Sequence, residues 1–177
     1  YIFGRDPLSV GPDHACVAAS DGGYCWGRNG AGQIGCNSTI NRPSPIRVTG
    51  ILVAAQAVAA GTSHSCALVG GSVKCWGANT YGQLGNNSTT DSRVPVDVSG
   101  YTSGVQALSA GQFHTCAVLD GAVKCWGRNH LGQLGNMSTV DSHVPVITNG
   151  LSSAQAIVTG KNHNLALVNG EIVAWGS

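Results

Sequence analysis

A tandem repeat of about fifty residues constrains the fold of this chain more than any other feature. His14, His64 and His114 are spaced 50 residues apart, and a fourth copy follows 49 residues later at His163. Each histidine is followed by a Trp-Gly pair and, in the first three copies, by Asn-x-x-Gly-Gln-(Leu or Ile)-Gly. We therefore expect copies of one small unit, with approximate bounds 11–60, 61–110, 111–159 and an incomplete 160–177.

The third copy shows four short strands per unit. Residues 105–110 are apolar, and residues 114–119 and 122–126 flank Asp120-Gly121, a strong two-residue hairpin signal. Residues 144–148 supply a fourth strand, which Pro145 marks as an edge. Four strands in a unit of this length predict a propeller blade, whereas the coils of a β-solenoid, the alternative, are usually shorter. The sequence thus predicts an all-β propeller portion over 1–177, a partial ring of about three and a half blades.

Composition excludes two classes of partner. Only 10% of residues are charged, against about 25% in an average soluble domain, and the net charge is +1. Without a basic run, no nucleic-acid footprint is visible. The most apolar segment, 51–60, is much shorter than the roughly twenty residues of a spanning helix, so we expect no membrane insertion.

The cysteines predict hairpin disulfides. A two-residue turn at Gly70-Gly71 sets Cys66 opposite Cys75 in a non-hydrogen-bonded pair, where Cα atoms lie about 4.5 Å apart, within disulfide range. In the fourth copy both cysteines are lost together. The predicted pairs are Cys16 with Cys25, Cys66 with Cys75, and Cys116 with Cys125. Because disulfides persist outside the cytosol, we expect a secreted or cell-surface protein.

A zinc site is the alternative for these cysteines. His64, Cys66 and Cys75 are zinc-ligand types, but each unit offers only three ligands, and His163 persists where both cysteines are gone. We therefore expect no metal and no cofactor. Cys36 remains unpaired, and its two interpretations are a free thiol or an intermolecular disulfide.

The repeated unit resembles the regulator of chromosome condensation repeat from Gly11 onward. The motifs that carry the resemblance are Gly-x-x-His at 61–64, Trp-Gly-x-Asn at 76–79 and Gly-Gln-Leu-Gly at 82–85. The resemblance implies a seven-bladed propeller, of which this chain would form about half. We expect a portion of a longer protein, rather than two chains completing a ring or an open array of blades.

Functions in that family include nucleotide exchange on a small GTPase, chromatin binding and, in a secreted bacterial member, inhibition of β-lactamase. The resemblance therefore implies a binding platform. The cysteine pairs indicate an extracellular member rather than a nuclear exchange factor.

Residues that recur and residues that vary predict different roles. We expect each recurring histidine to orient the backbone within its own blade, and Trp26, Trp76, Trp126 and Trp175 to pack between blades. The alternatives are a metal or catalytic histidine array and a ligand-stacking ring of tryptophans. The loops after Trp-Gly vary, and such loops share one propeller face. The candidate binding residues there are Arg28, Tyr81, Arg128 and His130, if they are not merely solvated.

The same loops carry Asn-x-Ser/Thr sequences. The candidate N-glycosylation sites are Asn37, Asn86, Asn87 and Asn136.

The leading hypothesis for function is a non-catalytic extracellular module for protein binding or adhesion, with a protein partner. The alternatives are a structural unit that self-associates into a surface assembly or filament, and a secreted propeller-type enzyme inhibitor. An enzyme is disfavoured because the chain has only eight carboxylate side chains and shows no catalytic triad or cofactor fingerprint.

Peptide mapping without reduction tests the cysteine pairing. We expect digestion to yield Cys66 linked to Cys75 and Cys116 linked to Cys125, because the hairpin register opposes them. Free thiols at all six positions, or stoichiometric zinc, would contradict the assignment.

Overall fold

The computed structural model describes residues 7–177, which form fifteen β-strands. The first six residues of the 1–177 portion lie outside the described residues. The strands are β1 (Leu8–Val10), β2 (His14–Ala19), β3 (Gly22–Gly27), β4 (Arg42–Arg47), β5 (Ala55–Ala60), β6 (His64–Val69), β7 (Ser72–Gly77), β8 (Ser92–Asp97), β9 (Val105–Ala110), β10 (His114–Leu119), β11 (Ala122–Gly127), β12 (Ser142–Ile147), β13 (Ala154–Thr159), β14 (His163–Val168) and β15 (Glu171–Gly176).

These strands build four antiparallel sheets, which we call blades 1 to 4. Blades 1, 2 and 3 have the strand orders β1-β2-β3-β4, β5-β6-β7-β8 and β9-β10-β11-β12, and blade 4 has β13-β14-β15. The all-β partial propeller predicted from the repeat is confirmed. Pro145 lies in β12 at the edge of its sheet, as predicted, and the equivalent Pro95 lies in the edge strand β8. Among residues 7–177 no helix is long and apolar enough to cross a membrane.

Two-residue turns set the hairpin register. Gly70 and Gly71 have φ of 59° and 82°, the left-handed values that a type I′ turn requires. Cys66 consequently lies opposite Cys75, as the count from the turn predicts. The structure joins the three predicted cysteine pairs as disulfides, with Cα atoms 4.0–4.1 Å apart. Sulfurs held in disulfides are unavailable as zinc thiolates, so this geometry favours the disulfide interpretation over the zinc alternative.

The recurring polar residues converge between blades. The carbonyl oxygen of Gln33 in blade 1 accepts hydrogen bonds from Trp76 Nε1 and Ser65 Oγ of blade 2, both at 2.8 Å. Ser65 Oγ in turn lies 2.7 Å from His14 Nε2 of blade 1. We call this arrangement a blade junction. The second junction is built from Gln83, Trp126, Thr115 and His64, and the third from Gln133, Trp175, Asn164 and His114.

The junctions confirm one expectation and correct another. The tryptophans do pack between blades: Trp76 and Trp126 are fully buried, whereas Trp26, on the outer side of blade 1, is half-buried. The expectation that each histidine acts within its own blade is wrong, because the Nε2 atoms reach the next blade. His163, on the outer side of blade 4, is exposed.

Glycine lets each tryptophan reach its junction. Gly85 ends the Gly-Gln-Leu-Gly segment with φ of 67°, and a Cβ there would lie 2.7 Å from Trp126 Nε1. Trp126 packs with Leu84, Val98 and Tyr101 in the core between blades 2 and 3. The last glycine of the segment therefore recurs because any side chain would displace the next blade's indole.

The junction also defines the histidine tautomer. Ser65 Oγ donates its proton to the Gln33 carbonyl, so it accepts from Nε2 of His14. Asn164 gives the same assignment for His114. Its Nδ2 donates to the Gln133 carbonyl, so its Oδ1 accepts the hydrogen bond from His114 Nε2. The Nδ1 atoms of these histidines are buried and have no hydrogen-bonding partner in the described protein.

Burial keeps these imidazoles neutral. It lowers the pKa of His14 from 6.5 to about 4. Burial also lowers the pKa of His64 to about 3, with a contribution from the neighbouring His14 and His114, and lowers that of His114. A charged imidazolium is thus far less stable in a junction than in the unfolded chain.

Truncating a junction tryptophan tests the packing. Trp76→Ala should lower the free energy of unfolding by roughly 3–5 kcal/mol, because it removes a buried ring. It also leaves the Gln33 carbonyl without its indole donor. Trp26→Ala is the matched control and should cost less than half as much, since Trp26 is half-buried. The measurement is urea unfolding followed by circular dichroism, and equal losses in the two variants would contradict this role.

Acid should loosen the junctions. The histidine pKa values are lower in the folded than in the unfolded state, so their stabilising effect is complete above about pH 6.5. It is lost as the pH falls toward about 4 for His14 and about 3 for His64. Between its unfolded and folded pKa values, protonation of each histidine should lower the free energy of unfolding by about 1.4 kcal/mol per pH unit.

Unfolding free energies measured from pH 7.5 to 4.5 check this dependence. His64→Gln should be less stable at pH 7.5 but should lose less stability on acidification than the unsubstituted protein. His163→Gln, at the exposed equivalent position, should follow the unsubstituted protein. Parallel pH curves for the protein and His64→Gln would refute the assignment.

Candidate functional site

An asparagine after each Trp-Gly organises the loop between the third and fourth strands. Asn79 Oδ1 accepts the Leu84 N–H at 2.9 Å, and Asn79 Nδ2 donates to the carbonyls of Ser88 and Thr90 at 2.9 and 3.1 Å. The Asn79 N–H donates to Asp91 Oδ1 at 2.7 Å. With Asn79 fully buried, these bonds hold the loop in one conformation.

The equivalent loops of blades 1 and 3 use the same frame. Asn29 and Asn129 repeat the bonds of Asn79, and the glutamine side chain closes each tip by accepting an N–H two residues before it. In blade 2 this bond joins Tyr81 N to Gln83 Oε1 at 2.9 Å. Three equally shaped loops thus present different side chains on one face, which we call the loop face.

The structure brings two of the four candidate binding residues together. Arg128 of blade 3 lies over the ring of Tyr81 of blade 2, with its guanidinium carbon 4.8 Å from the ring centroid. Arg28 instead forms an exposed ion pair with Asp13 at 3.2 Å. His130 is exposed at the tip of its loop. The candidates therefore divide into one interacting pair and two separate side chains.

Phe113 belongs to the same group and was missed in the sequence. Its ring centroid lies 5.3 Å from that of Tyr81, and the Arg128 guanidinium carbon lies 5.6 Å from the Phe113 ring. We call Tyr81, Phe113 and Arg128 the Arg128 cluster. Position 113 precedes the recurring histidine, and its equivalents are Asp13, Ser63 and Asn162. That variation was the available signal, but it stands outside the loop after Trp-Gly.

A cavity of about 700 Å³ opens where the four blades meet. Equivalent residues of all four blades line it, among them Gly11, Gly61, Gly111 and Gly160. Lys161 is the one charged residue in its lining. Among residues 7–177 no group of three or more His, Cys, Asp or Glu side chains is placed to hold a metal ion. The cavity wall therefore offers mostly backbone and small side chains.

The remaining candidates lie near the Asn79-type frames. Asn86 and Asn136 are half-buried, and their Oδ1 atoms accept from Asn79 and Asn129. Asn37 and Asn87 are exposed with φ of 55° and 58°. Glycosylation at these four asparagines stays a prediction. Cys36, which replaces Asn86 in the first frame, is half-buried and unpaired, with its sulfur 3.8 Å from Asn29 Nδ2.

Comparison with protein families places the repeat. The model of the regulator of chromosome condensation (RCC1) repeat matches residues 22–68, 70–118 and 120–167. A second model of the same repeat matches residues 55–83 and 105–133. Each match to the first model runs from the hairpin of one blade into the hairpin of the next, so it contains the glutamine and the small polar residue of one junction but neither its tryptophan nor its histidine.

Solved structures share the fold. Human WBSCR16 aligns with a TM-score of 0.83 and 24% identity, over 96% of this chain and 46% of that protein. Prp20p from Saccharomyces cerevisiae, described with its binding properties to Gsp1p and histones, aligns with a TM-score of 0.79 and 24% identity, over 96% of this chain and 44% of that protein. The CRINKLY WD40 ectodomain of the Arabidopsis thaliana receptor kinase ACR4 aligns with a TM-score of 0.56 and 20% identity, over 96% of this chain and 48% of that structure. The chain spans less than half the length of these three structures.

Proposed function

The chain belongs to the regulator of chromosome condensation (RCC1) repeat family, and from that premise we propose that it is a non-catalytic protein-binding module. It acts at the cell surface or after secretion, and it binds its partner through the loop face. The observation that carries the proposal is the contrast between the uniform loop frames and the side chains they present.

Packing of the fold does not require the Arg128 cluster. The junctions need the glutamine carbonyl, the tryptophan and the histidine, all of which recur. Tyr81 and Arg128 take the positions that Ala31 and Arg28 occupy in blade 1. Neither position supplies a group to a junction. Aromatic residues and arginine are the side chains that most often anchor protein interfaces. A half-buried aromatic–arginine group on a rigid loop face is therefore suited to binding.

Relatives of the same fold support a protein partner. Prp20p is described with its binding to Gsp1p and histones, and yeast RCC1 (Prp20) has been solved bound to Kap60. Those partners belong to those proteins. What the fold contributes here is a rigid frame for variable loops, and on such frames function resides in the grafted surface residues.

The disulfides support an oxidising location. Three of the four blades have a cystine fully buried in the hairpin. Such bonds are stable in the secretory pathway and outside the cell, and are rare in the cytosol. The structural match to a receptor-kinase ectodomain from Arabidopsis thaliana shows the same fold in an extracellular setting.

Capture of the partner by variants of the loop face tests the proposal. The purified chain, immobilised on beads, is incubated with cell-surface and medium fractions of the source organism, and bound proteins are quantified by mass spectrometry. Tyr81→Ala combined with Arg128→Ala should reduce capture of the specific partner at least tenfold, as expected for interface anchors. Thermal melting should show the double variant folded, because changes at half-buried loop positions cost little stability.

Arg28→Ala is the matched control, since Arg28 occupies the equivalent position but pairs with Asp13. It should leave capture unchanged. Equal capture by the folded double variant and the unsubstituted chain would reject the loop face as the binding surface. Detection of the protein only in the cytosol, with reduced cysteines, would reject the location.

A further inference from the structure

We propose that the Arg128 cluster recognises an acidic segment of the partner protein, in which an Asp or Glu carboxylate is followed or preceded by an apolar side chain. The inference rests on the proposed function and specifies the chemistry of the partner. The carboxylate binds the Arg128 guanidinium, and the apolar side chain packs beside it on Tyr81 and Phe113.

The stacking of Arg128 prepares it for a carboxylate. Its guanidinium lies over Tyr81 and near Phe113, at 4.8 and 5.6 Å from the two rings. Contact with the rings uses none of the guanidinium N–H groups in a hydrogen bond, so these donors remain available. That fork of donors matches the two oxygens of a carboxylate, and less side-chain entropy is lost because the ring contacts already limit the rotamers.

The charge of Arg128 is not balanced within the described chain. The ion pairs found in residues 7–177 join Arg28 with Asp13, Arg47 with Asp21, and Lys74 with Asp97. The carboxylates of the loops in blades 2 and 3, Asp91 and Asp141, instead accept the backbone N–H groups of Asn79 and Asn129. Blade 4 adds the exposed cation of Lys161 next to Gln112, whose N–H donates to the Lys161 carbonyl. Within the described chain, Arg128 thus has no carboxylate partner and its guanidinium can pair with an anion of another molecule.

The cluster is specific to the second junction. At the first junction the equivalents of Tyr81, Phe113 and Arg128 are Ala31, Ser63 and Ala78, and at the third they are Leu131, Asn162 and Ser177. Neither set combines a cation with aromatic rings. Since all three junctions have the same tryptophan–glutamine bonds, the cluster serves no purpose that the fold repeats elsewhere.

The chemistry favours an acidic peptide over a nucleic acid. Nucleic-acid binding draws its affinity from many phosphate contacts and needs several cations along a track. Here one guanidinium is combined with two aromatic rings, and the net charge of the chain is only +1. One carboxylate beside an apolar group satisfies the cluster in full.

Selection from a random dodecapeptide display library on the immobilised chain tests the inference. We expect the enriched peptides to contain Asp or Glu next to a Leu, Phe, Tyr or similar residue. One enriched peptide is then synthesised with its acid and with the corresponding amide, and binding is measured by fluorescence anisotropy. The amide should bind at least about tenfold more weakly, as should the acid to Arg128→Gln.

One substitution separates charge from geometry, and two others serve as controls. Arg128→Lys keeps the charge but loses the planar fork, so it should bind the acidic peptide with intermediate affinity. Arg28→Gln, at the equivalent position of blade 1, should bind within twofold of the unsubstituted chain. Circular dichroism melting verifies that each variant is folded, and Tyr81→Phe, which keeps the ring, should retain binding.

Three results would overturn the inference: no enriched peptide, enriched peptides without a carboxylate, or equal binding of the acidic peptide to folded Arg128→Gln. If, in any of these cases, the Tyr81→Ala, Arg128→Ala variant still fails to capture the native partner, the loop face binds by other chemistry and the proposed function stands. If native capture is also unchanged, both proposals fail.

Discussion

The stacking of the blades depends on one buried acceptor, the carbonyl oxygen of Gln33 and its equivalents at Gln83 and Gln133. Each accepts hydrogen bonds from a tryptophan and a small polar side chain of the next blade. A buried donor without its acceptor costs more than a hydrogen bond gains, so the residues of a junction must all be present together. Each blade is thereby coupled to its neighbours, as in other quasi-one-dimensional repeat proteins.

The same loop separates residues that the fold requires from residues that differ between blades. Its inward side supplies the glutamine carbonyl and the asparagine-centred frame, and its outward side carries Tyr81 or its counterpart. Inward residues recur because every junction has the same geometry, whereas outward residues are free to differ. The recurring frame and the variable Tyr81 thus lie within the same seven residues, 79–85.

The hairpins were predictable because a two-residue turn determines every cross-strand pair, including Cys66 with Cys75. The histidines were not, because a fixed period is the same whether a side chain reaches its own blade or the next one. Arg28 looked equivalent to Arg128 in the sequence, but Asp13 neutralises it in the fold. Phe113 was not predicted because it lies outside the loop after Trp-Gly. The segment before the histidine and that loop become neighbours only when the blade folds.

The placement of the disulfides determines how the chain responds to mechanical force. Each of the three bonds links cysteines nine positions apart in one hairpin, and none of them joins two blades. Tension along the backbone therefore bypasses the locked hairpin and acts on the non-covalent junctions. Each disulfide prevents a segment spanning nine positions from extending, which is about 30 Å of contour length at ~3.3–3.6 Å per residue. The hairpin of blade 4 has Leu165 and Ala174 in place of the cysteines, so no covalent bond prevents it from extending.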